Sequence, residues 1–207
     1  MGNPLQSLTP SPNYRQALVA LLGLLLGLSI FCGLQRVITP RYSWVTPLDE
    51  VIPFIAQSWW AYVLFFPFVL LAAAYVSANA FRAFKNATGI AFGVAILCFW
   101  LFPEYVPRPD IGSIDNAFLH QRLSRLWQLD LASNGCPSLH VAVTCLACRA
   151  LWSRHYKWLT GITGLLICLS TLTLKQHTLI DVAGGVLLAL ACALATQRQG
   201  SNARVPA

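Results

Sequence analysis

Charged side chains are scarce in this sequence. Asp, Glu, Lys and Arg make up only 10% of its 207 residues, whereas hydrophobic residues make up 57%. Soluble domains carry about 25% charged residues, so this composition excludes a protein whose surface faces water throughout. We therefore predict an integral membrane protein that has the lipid bilayer as its surroundings.

Acidic residues are the scarcer of the two charged classes. The chain has seven Asp and Glu but fourteen Lys and Arg, which gives a formal net charge of +7. The basic residues are spread thinly between apolar runs, whereas a nucleic-acid partner requires a basic patch or stripe. No nucleic-acid partner is expected, and we assign the basic residues to membrane topology.

The sequence also lacks a linker, an internal repeat and a low-complexity tract, so we predict one domain over residues 1–207. Five of the seven cysteines lie in apolar stretches, where a thiol behaves as a small hydrophobe, and no disulfide framework is expected. Cys145 and Cys148 have the spacing of zinc ligands. They lack a second pair and a following His, so no metal site is predicted.

Long apolar stretches are the main feature that the sequence does have. A membrane helix needs roughly 17–25 such residues, and six stretches qualify. We predict an all-α fold, a bundle of six transmembrane helices, with an interfacial segment around Pro53 before the second span. The first stretch lacks a small-x-small cleavage site and is expected to remain as an anchor. The predicted spans cover roughly residues 16–35, 59–80, 86–103, 137–153, 158–174 and 179–197.

The charges between these spans set the predicted orientation. With a cytoplasmic N-terminus, eight basic and no acidic residues lie on the cytoplasmic side, and six basic and all seven acidic residues lie opposite. Lys and Arg favour the cytoplasmic side, so we predict that both termini lie there. The eight are Arg15, Arg82, Lys85, Arg149, Arg154, Lys157, Arg198 and Arg204.

A first polar cluster, residues 134–140, stands at the predicted start of the fourth span. Its sequence is Asn-Gly-Cys-Pro-Ser-Leu-His, in which Asn-Gly marks a turn and Pro137 suits the first helical position. The backbone amides of such a helix start point outward. Together with the Ser138 hydroxyl they can bind a phosphate oxygen.

A second polar cluster, residues 175–181, opens the sixth span with the sequence Lys-Gln-His-Thr-Leu-Ile-Asp. His177 and Asp181 are four residues apart, so on a helix they share one face. Asp181 could then hold one imidazole nitrogen protonated.

The predicted crossings bring both clusters to one membrane face. Between His140 and His177 the chain has room for one crossing, a basic turn and one crossing back, and the third span ends on the same face just before Arg108. A lone boundary His is more often an interfacial hydrogen-bonding group, and Arg108 or Ser138 alone would be ordinary. Their convergence with Lys175 makes Arg108, Ser138 and Lys175 candidate phosphate-binding residues.

Two histidines and an aspartate beside such groups suit phosphoryl transfer. One imidazole can attack phosphorus while a carboxylate keeps its far nitrogen protonated, and the other imidazole can protonate the departing alkoxide. His177, near Asp181, is the candidate nucleophile, and His140 is the candidate acid that later activates water. Cationic and amide donors can neutralise the phosphate oxygens, so no metal ion or other cofactor is predicted.

These residues resemble motifs of the type 2 phosphatidic acid phosphatase superfamily. The resemblance is closest to its branch of inositol phosphorylceramide synthases and related bacterial proteins. It implies a six-helix membrane fold and catalysis through a phosphohistidine intermediate. The matching residues are 137–140 (Pro-Ser-Leu-His), Ser170, His177, Asp181, Val182, Gly185, Ile52, Pro53, Phe54, Trp59, Trp60 and Tyr62.

The sequence departs from the family pattern at two cationic positions. Leu101 stands where the pattern that ends in Arg108-Pro109 begins with Lys, and Thr171 follows Ser170 where the pattern has Arg. Lys175 could replace one of these cations. With fewer cations, a phosphodiester or another substrate of low charge fits as well as a phosphomonoester does.

Our first functional prediction is hydrolysis of a phosphate ester of a membrane lipid at the extracytoplasmic face, in a multi-pass protein of a bacterial inner membrane. One alternative is a phosphotransferase that moves a phospho-headgroup from a lipid donor to an alcohol. Another is a non-enzymatic lipid carrier or transporter, although the chain shows no inverted repeat. The oligomeric state stays open.

Overall fold

A computed structural model describes residues 11–152 and 156–202, with side chains through Gln197 in the second segment. This part of the chain is helical, and its strand-like contacts are two isolated bridges, Tyr42 to Glu104 and Tyr105 to Ser133. Two short 3-10 turns cover Ala56–Ser58 and Ile111–Ser113. The helices are α1 (Tyr14–Val37), α2 (Pro47–Val51), α3 (Trp59–Val63), α4 (Phe65–Tyr75), α5 (Ala78–Leu101), α6 (Ala117–Leu129), α7 (Leu139–Leu151), α8 (Lys157–Thr173) and α9 (Leu179–Asn202).

The all-α prediction is therefore confirmed, while the count of six membrane spans is not. Among the described residues, four stretches are long and apolar enough to cross a membrane. Helices α7 and α8 are apolar but have only 13 and 17 residues. The four stretches are Tyr14–Val37, Ala56–Tyr75, Ala78–Leu101 and Leu179–Gln197.

The second apolar run is divided into short elements before it becomes a long helix. Helix α2 begins with a capping box between Thr46 and Asp49. After α2 the chain passes Pro53 and reaches the turn Ala56–Ser58. Leu64 interrupts the helix between α3 and α4. Pro67, three residues further on, has no N–H to donate to the Val63 carbonyl, which explains the break at this place.

Helix α5 begins earlier than the sequence suggested. Its N-cap is Ser77, whose side chain accepts a hydrogen bond from the Ala80 amide. Arg82 and Lys85 therefore lie within the first turns of α5, whereas we had expected them in a loop before a span starting at residue 86. Arg154 and His155, which belong to the predicted basic turn, lie outside the described residues.

Helix α7 is the centre of the bundle, since it packs against α4, α5, α8 and α9. Small side chains permit these contacts. Three alanines and a phenylalanine, spaced four residues apart on α5, are at most 2% exposed. Membrane helices without a hydrophobic driving force between them associate by such close packing of small residues. The stripe consists of Ala87, Ala91, Ala95 and Phe99.

One end of the bundle gathers the polar segments. The C-terminal end of α1 contacts the segment before α7, because the Gln35 side chain donates to the Leu131 and Ser133 carbonyls. The starts of α7 and α9 meet there too. Helix α6 buries Leu119 and Leu123 at this end.

The closest approach of α7 and α9 occurs at Gly185. A Cβ atom there would stand 2.5 Å from the Ser138 carbonyl oxygen and 3.0 Å from Cβ of Val141. The first contact is with backbone, which cannot move aside as a flexible side chain can. The glycine is therefore required for the packing of these two helix starts.

We predict that Gly185→Ala destabilises the protein by about 1–3 kcal/mol through overpacking. The unfolding temperature in detergent should fall by about 4–10 °C. Gly93→Ala on α5 is the matched control, because nothing lies within 4 Å of its added Cβ. It gains the same helix propensity without the clash. Equal unfolding temperatures for the two variants would contradict the packing argument.

Candidate active site

The start of α7 is held by a capping interaction. Ser138 is the N-cap residue, and its hydroxyl accepts from the Val141 amide at 3.3 Å. Pro137, in a cis peptide with Cys136, therefore precedes the cap and does not occupy the first helical position that we predicted. The Ser138 amide donates to the Asp181 carbonyl at 3.0 Å, which joins the start of α7 to α9.

The start of α9 is capped by two reciprocal hydrogen bonds between Thr178 and Asp181. The Thr178 hydroxyl accepts from the Asp181 amide at 3.3 Å, and Oδ2 of Asp181 accepts from the Thr178 amide at 2.8 Å. This capping box orients the Asp181 side chain towards the residues that precede the helix. Asp181 is fully buried, and its Oδ1 has no hydrogen-bond partner.

His177 lies just before α9 and next to that carboxylate. Its Nδ1 is 3.4 Å from Oδ2 of Asp181, and only 12% of its side chain is exposed. The structure thus brings the two residues together across the helix start, not along one face of a helix as we expected. Because Nδ1 faces the carboxylate, Nε2 is the nitrogen that remains free to react.

His140, in the first turn of α7, is enclosed by aromatic rings. Its ring stacks on Tyr62 with centroids 4.3 Å apart and on Phe65 with centroids 4.0 Å apart. Its Nε2 is buried and has no hydrogen-bond partner. The two rings shield the imidazole from water.

A single cavity connects the two histidines. Its volume is about 110 Å³. Its polar lining consists of His140, His177, Asp130, Asn134 and the Tyr62 ring, and the rest is aliphatic or aromatic. The predicted catalytic histidines therefore face the same space.

Arg108 fixes the segment beside this cavity. Its guanidinium donates to the Asp130 and Leu131 carbonyls and to Oε1 of Gln176, the neighbour of His177. It also lies 3.6 Å from the Asp130 carboxylate. Its Nε is buried and unpaired. Arg108 is thus close to the site, yet most of its donors are already engaged by the protein.

Lys175 binds to the C-terminal end of α2. Its Nζ donates to the carbonyls of Asp49 and Ile52, both at 2.6 Å. The Asp49 carboxylate in turn accepts from the Leu179 amide at the first residue of α9. Burial favours a higher pKa for Asp49, but the hydrogen bonds from Thr46 and Leu179 and the charge of Lys175 outweigh burial and lower it. The predicted contacts of Lys175 and Ser138 with phosphate stay predictions.

Asn134 is a site residue that the sequence marked only as part of a turn. Its backbone is left-handed with φ 61°, and its buried side-chain amide has no hydrogen-bond partner. This amide lines the cavity with both histidines. An unpaired buried donor is costly without a ligand, so Asn134 joins the candidate phosphate-binding groups.

Glu104 was also missed, since the sequence alone could not show which carboxylate faces the site. It is fully buried, and neither of its carboxyl oxygens has a hydrogen-bond partner. Glu104 and Asp181 lie close together beside Gly135, since a Cβ on Gly135 would lie 2.9 Å from Oε2 of Glu104 and 2.6 Å from Oδ2 of Asp181. Burial and the Asp181 carboxylate raise the pKa of Glu104 to about 9. Glu104 is accordingly neutral at pH 7.

The raised pKa of Glu104 predicts a pH-dependent stability. Between its ordinary pKa of 4.5 and about 9, the folded protein holds a proton that the unfolded chain releases, so stability falls as pH rises through this window. Glu104→Gln keeps a neutral side chain and removes this dependence. The unfolding temperature of the wild type should therefore decrease relative to the Glu104→Gln variant from pH 5 to pH 9. Parallel curves would contradict a neutral Glu104.

Comparison with known proteins places this arrangement in a family. The sequence profile of the PAP2 superfamily matches residues 42–195, most of the chain, including both histidines and Asp181. No curated protein matches the chain, and no solved structure matches it. The chain is a membrane protein that belongs to the PAP2 superfamily, whose members are phosphatases or phosphotransferases.

Proposed function

We propose that this protein hydrolyses a phosphate ester of a membrane lipid through a phosphohistidine intermediate. The observation that carries the proposal is the pairing of His177 with a fully buried Asp181, with His140 on the same cavity. Family membership supports phosphatase- or phosphotransferase-type activity. The substrate, the phosphohistidine mechanism and the membrane face are our own proposals beyond this type of activity.

In the first step, Nε2 of His177 attacks phosphorus, and the bond from phosphorus to the lipid oxygen breaks. Asp181, 3.4 Å from Nδ1, stabilises the positive charge that develops on the imidazole. His140 donates its proton to the departing alkoxide, so that the lipid alcohol leaves neutral. The negative charge of the bound phosphate beside His140 favours the protonated imidazole before this transfer.

In the second step, water attacks phosphorus, and the bond from phosphorus to Nε2 of His177 breaks. His140 takes the proton of the attacking water, and inorganic phosphate leaves. Both histidines thereby return to their starting protonation states, and the net reaction consumes one water per ester. No group beyond those on the cavity and the substrate enters this balance.

The phosphate oxygens require hydrogen-bond donors, and we propose one group of donors on the cavity wall and another behind it. Asn134 has an unpaired amide on the cavity itself. Arg108 lies behind the cavity and contacts Gln176, whose Nε2 is also unpaired. Ser138 and Lys175 remain proposed phosphate contacts, although their described hydrogen bonds stabilise helix starts and a loop. This pattern favours Asn134 as the principal group, with the unpaired Nε of Arg108 as the second.

The proposed membrane arrangement has six crossings, with α7 and α8 completing the four longer spans. Helix α7 can be short because it is surrounded by other helices. The acid-free N-terminal side would face the cytoplasm, so the site would open on the extracytoplasmic side. Our proposal that this is the inner membrane of a bacterium, and that the chain belongs to the inositol phosphorylceramide synthase-like branch, rests on the sequence resemblance alone.

The sharpest prediction concerns the different roles of the two histidines. His177→Ala should form no phosphoenzyme with any substrate, because the nucleophile is gone. His140→Ala should still form one with a nitrophenyl ester, whose leaving group needs no acid, and the adduct should persist because water is poorly activated. Asp181→Asn should keep the capping oxygen and the fold but lose a large part of the rate, by about 10²–10⁴-fold.

Acid-labile phosphate trapped on the purified protein is the measurement. If folded His177→Ala traps it, the nucleophile is wrongly assigned. Full activity of folded His140→Ala towards a poor leaving group would exclude His140 as the acid. Adding an acceptor alcohol to the wild type extends the experiment. Phosphorylated alcohol as the main product, instead of free phosphate, would identify a transferase that uses the same intermediate.

The proposed face is tested by cysteine labelling in intact cells. Asp115→Cys should react with an impermeant thiol reagent, and Lys157→Cys should react only after the membrane is permeabilised. The parent chain, with its seven cysteines, gives the background. The reverse pattern would place the site on the cytoplasmic side.

A further inference from the structure

The cavity extends well beyond the catalytic groups. Its polar residues lie at one end, and from there it continues between α1, α4, α5 and α7. Phe31 and Phe99, whose rings are 5.7 Å apart, lie near the polar end, because both precede the polar segments by about one turn. Leu24 and Phe92 lie seven residues before them, about 10 Å deeper along the helices.

The cavity is polar at one end and apolar along the rest of its wall, so it suits a molecule with a polar head and an apolar chain. The polar end carries His140, His177 and Asn134, which suit a phosphate group, together with Asp130, and the remaining wall consists mainly of apolar side chains. Leu28 on α1 and Phe66 on α4 line the cavity and yet are 44% and 40% exposed. The cavity therefore reaches the outside of the bundle at these two side chains, on the surface that faces the bilayer, where a hydrocarbon chain could enter.

Gly27 and Phe92 define the width of the deeper half. Gly27 is one of the few buried residues of α1, and a Cβ on it would stand 2.6 Å from two ring atoms of Phe92. The ring of Phe92 thus fills the space in front of the glycine. Enlarging residue 27 would push this ring, and removing the ring would lengthen the free space.

The wall formed by α1 lies outside the part of the chain that the PAP2 superfamily profile matches, which begins at residue 42. Shared family motifs therefore do not account for it. We propose that this cavity holds the hydrocarbon chain of the substrate inside the protein, and that the contact between Gly27 and Phe92 limits the accepted chain length. The proposal rests on the proposed function, since it takes the head of the same molecule to be the phosphate at the histidines.

The test uses the full-length protein in detergent and a series of single-chain alkyl phosphates of increasing length. For each variant, the measured quantity is the ratio of kcat/KM for long chains to that for short chains. Gly27→Ala should lower this ratio by about tenfold, the effect expected when a few methylene contacts are lost. Phe92→Ala should raise the ratio for the longest members.

Matched controls separate the cavity from general effects on the helices. Gly23→Ala lies on α1 with nothing within 4 Å of its added Cβ, and Leu97→Ala lies on α5 at a side chain that is 62% exposed. Neither should change the ratio. An equal change in Gly23→Ala and Gly27→Ala, or unchanged ratios for both Gly27→Ala and Phe92→Ala, would overturn the proposal. Phe92→Leu gives an independent variant if Gly27→Ala does not fold.

A binding measurement tests the role of the cavity separately from the proposed reaction. If the wild type turns over no alkyl phosphate, the proposed function fails, and binding of non-hydrolysable alkylphosphonates then decides the role of the cavity. Affinity that rises with chain length in the wild type, and rises less in Gly27→Ala, would support a chain in the cavity. Affinity independent of chain length would overturn it.

Discussion

The interactions of Asp181 determine how the two halves of the site meet. Its carboxylate closes the capping box of α9, lies 3.4 Å from His177 and stands beside Gly135, while its carbonyl accepts the Ser138 amide at the start of α7. One residue therefore fixes a helix start, orients a histidine and positions the neighbouring helix. Because the residue is fully buried, each of these contacts operates without competition from water.

Polar backbone groups at the same end of the bundle are satisfied by side chains from distant segments. Gln35 on α1 and Arg108 after α5 donate to carbonyls of residues 130–133, and Lys175 donates to carbonyls at the end of α2. Unpaired backbone groups in an apolar environment cost several kcal/mol each, so this network is needed before any ligand binds. It also explains why few polar side chains remain free to contact a substrate.

Sequence patterns predicted the parts of the fold that depend on composition and local spacing. Long apolar runs indicated the helices, and counting crossings brought His140 and His177 to one end of the molecule. The short spacing of His177 and Asp181 indicated their contact, although the helix begins only at Leu179. Asn134 and Glu104 could not be found in this way, because their burial and lack of partners arise from segments distant in sequence. The same reason applies to Lys175, whose carbonyl partners lie at the end of α2, more than 120 residues earlier in the chain.

The different lengths of the helices place the hydrophobic mismatch at the end of the bundle away from the site. Helix α7 has 13 residues and is about 20 Å long, whereas α5 with 24 residues is about 36 Å long. The hydrocarbon core of a bilayer is about 30 Å thick. The starts of α7 and α9 meet at Ser138 and Asp181, so the missing length of α7 lies at its other end, near Leu151, and not at His140. The bilayer at that end thins, or the long helices tilt, to follow the mismatch.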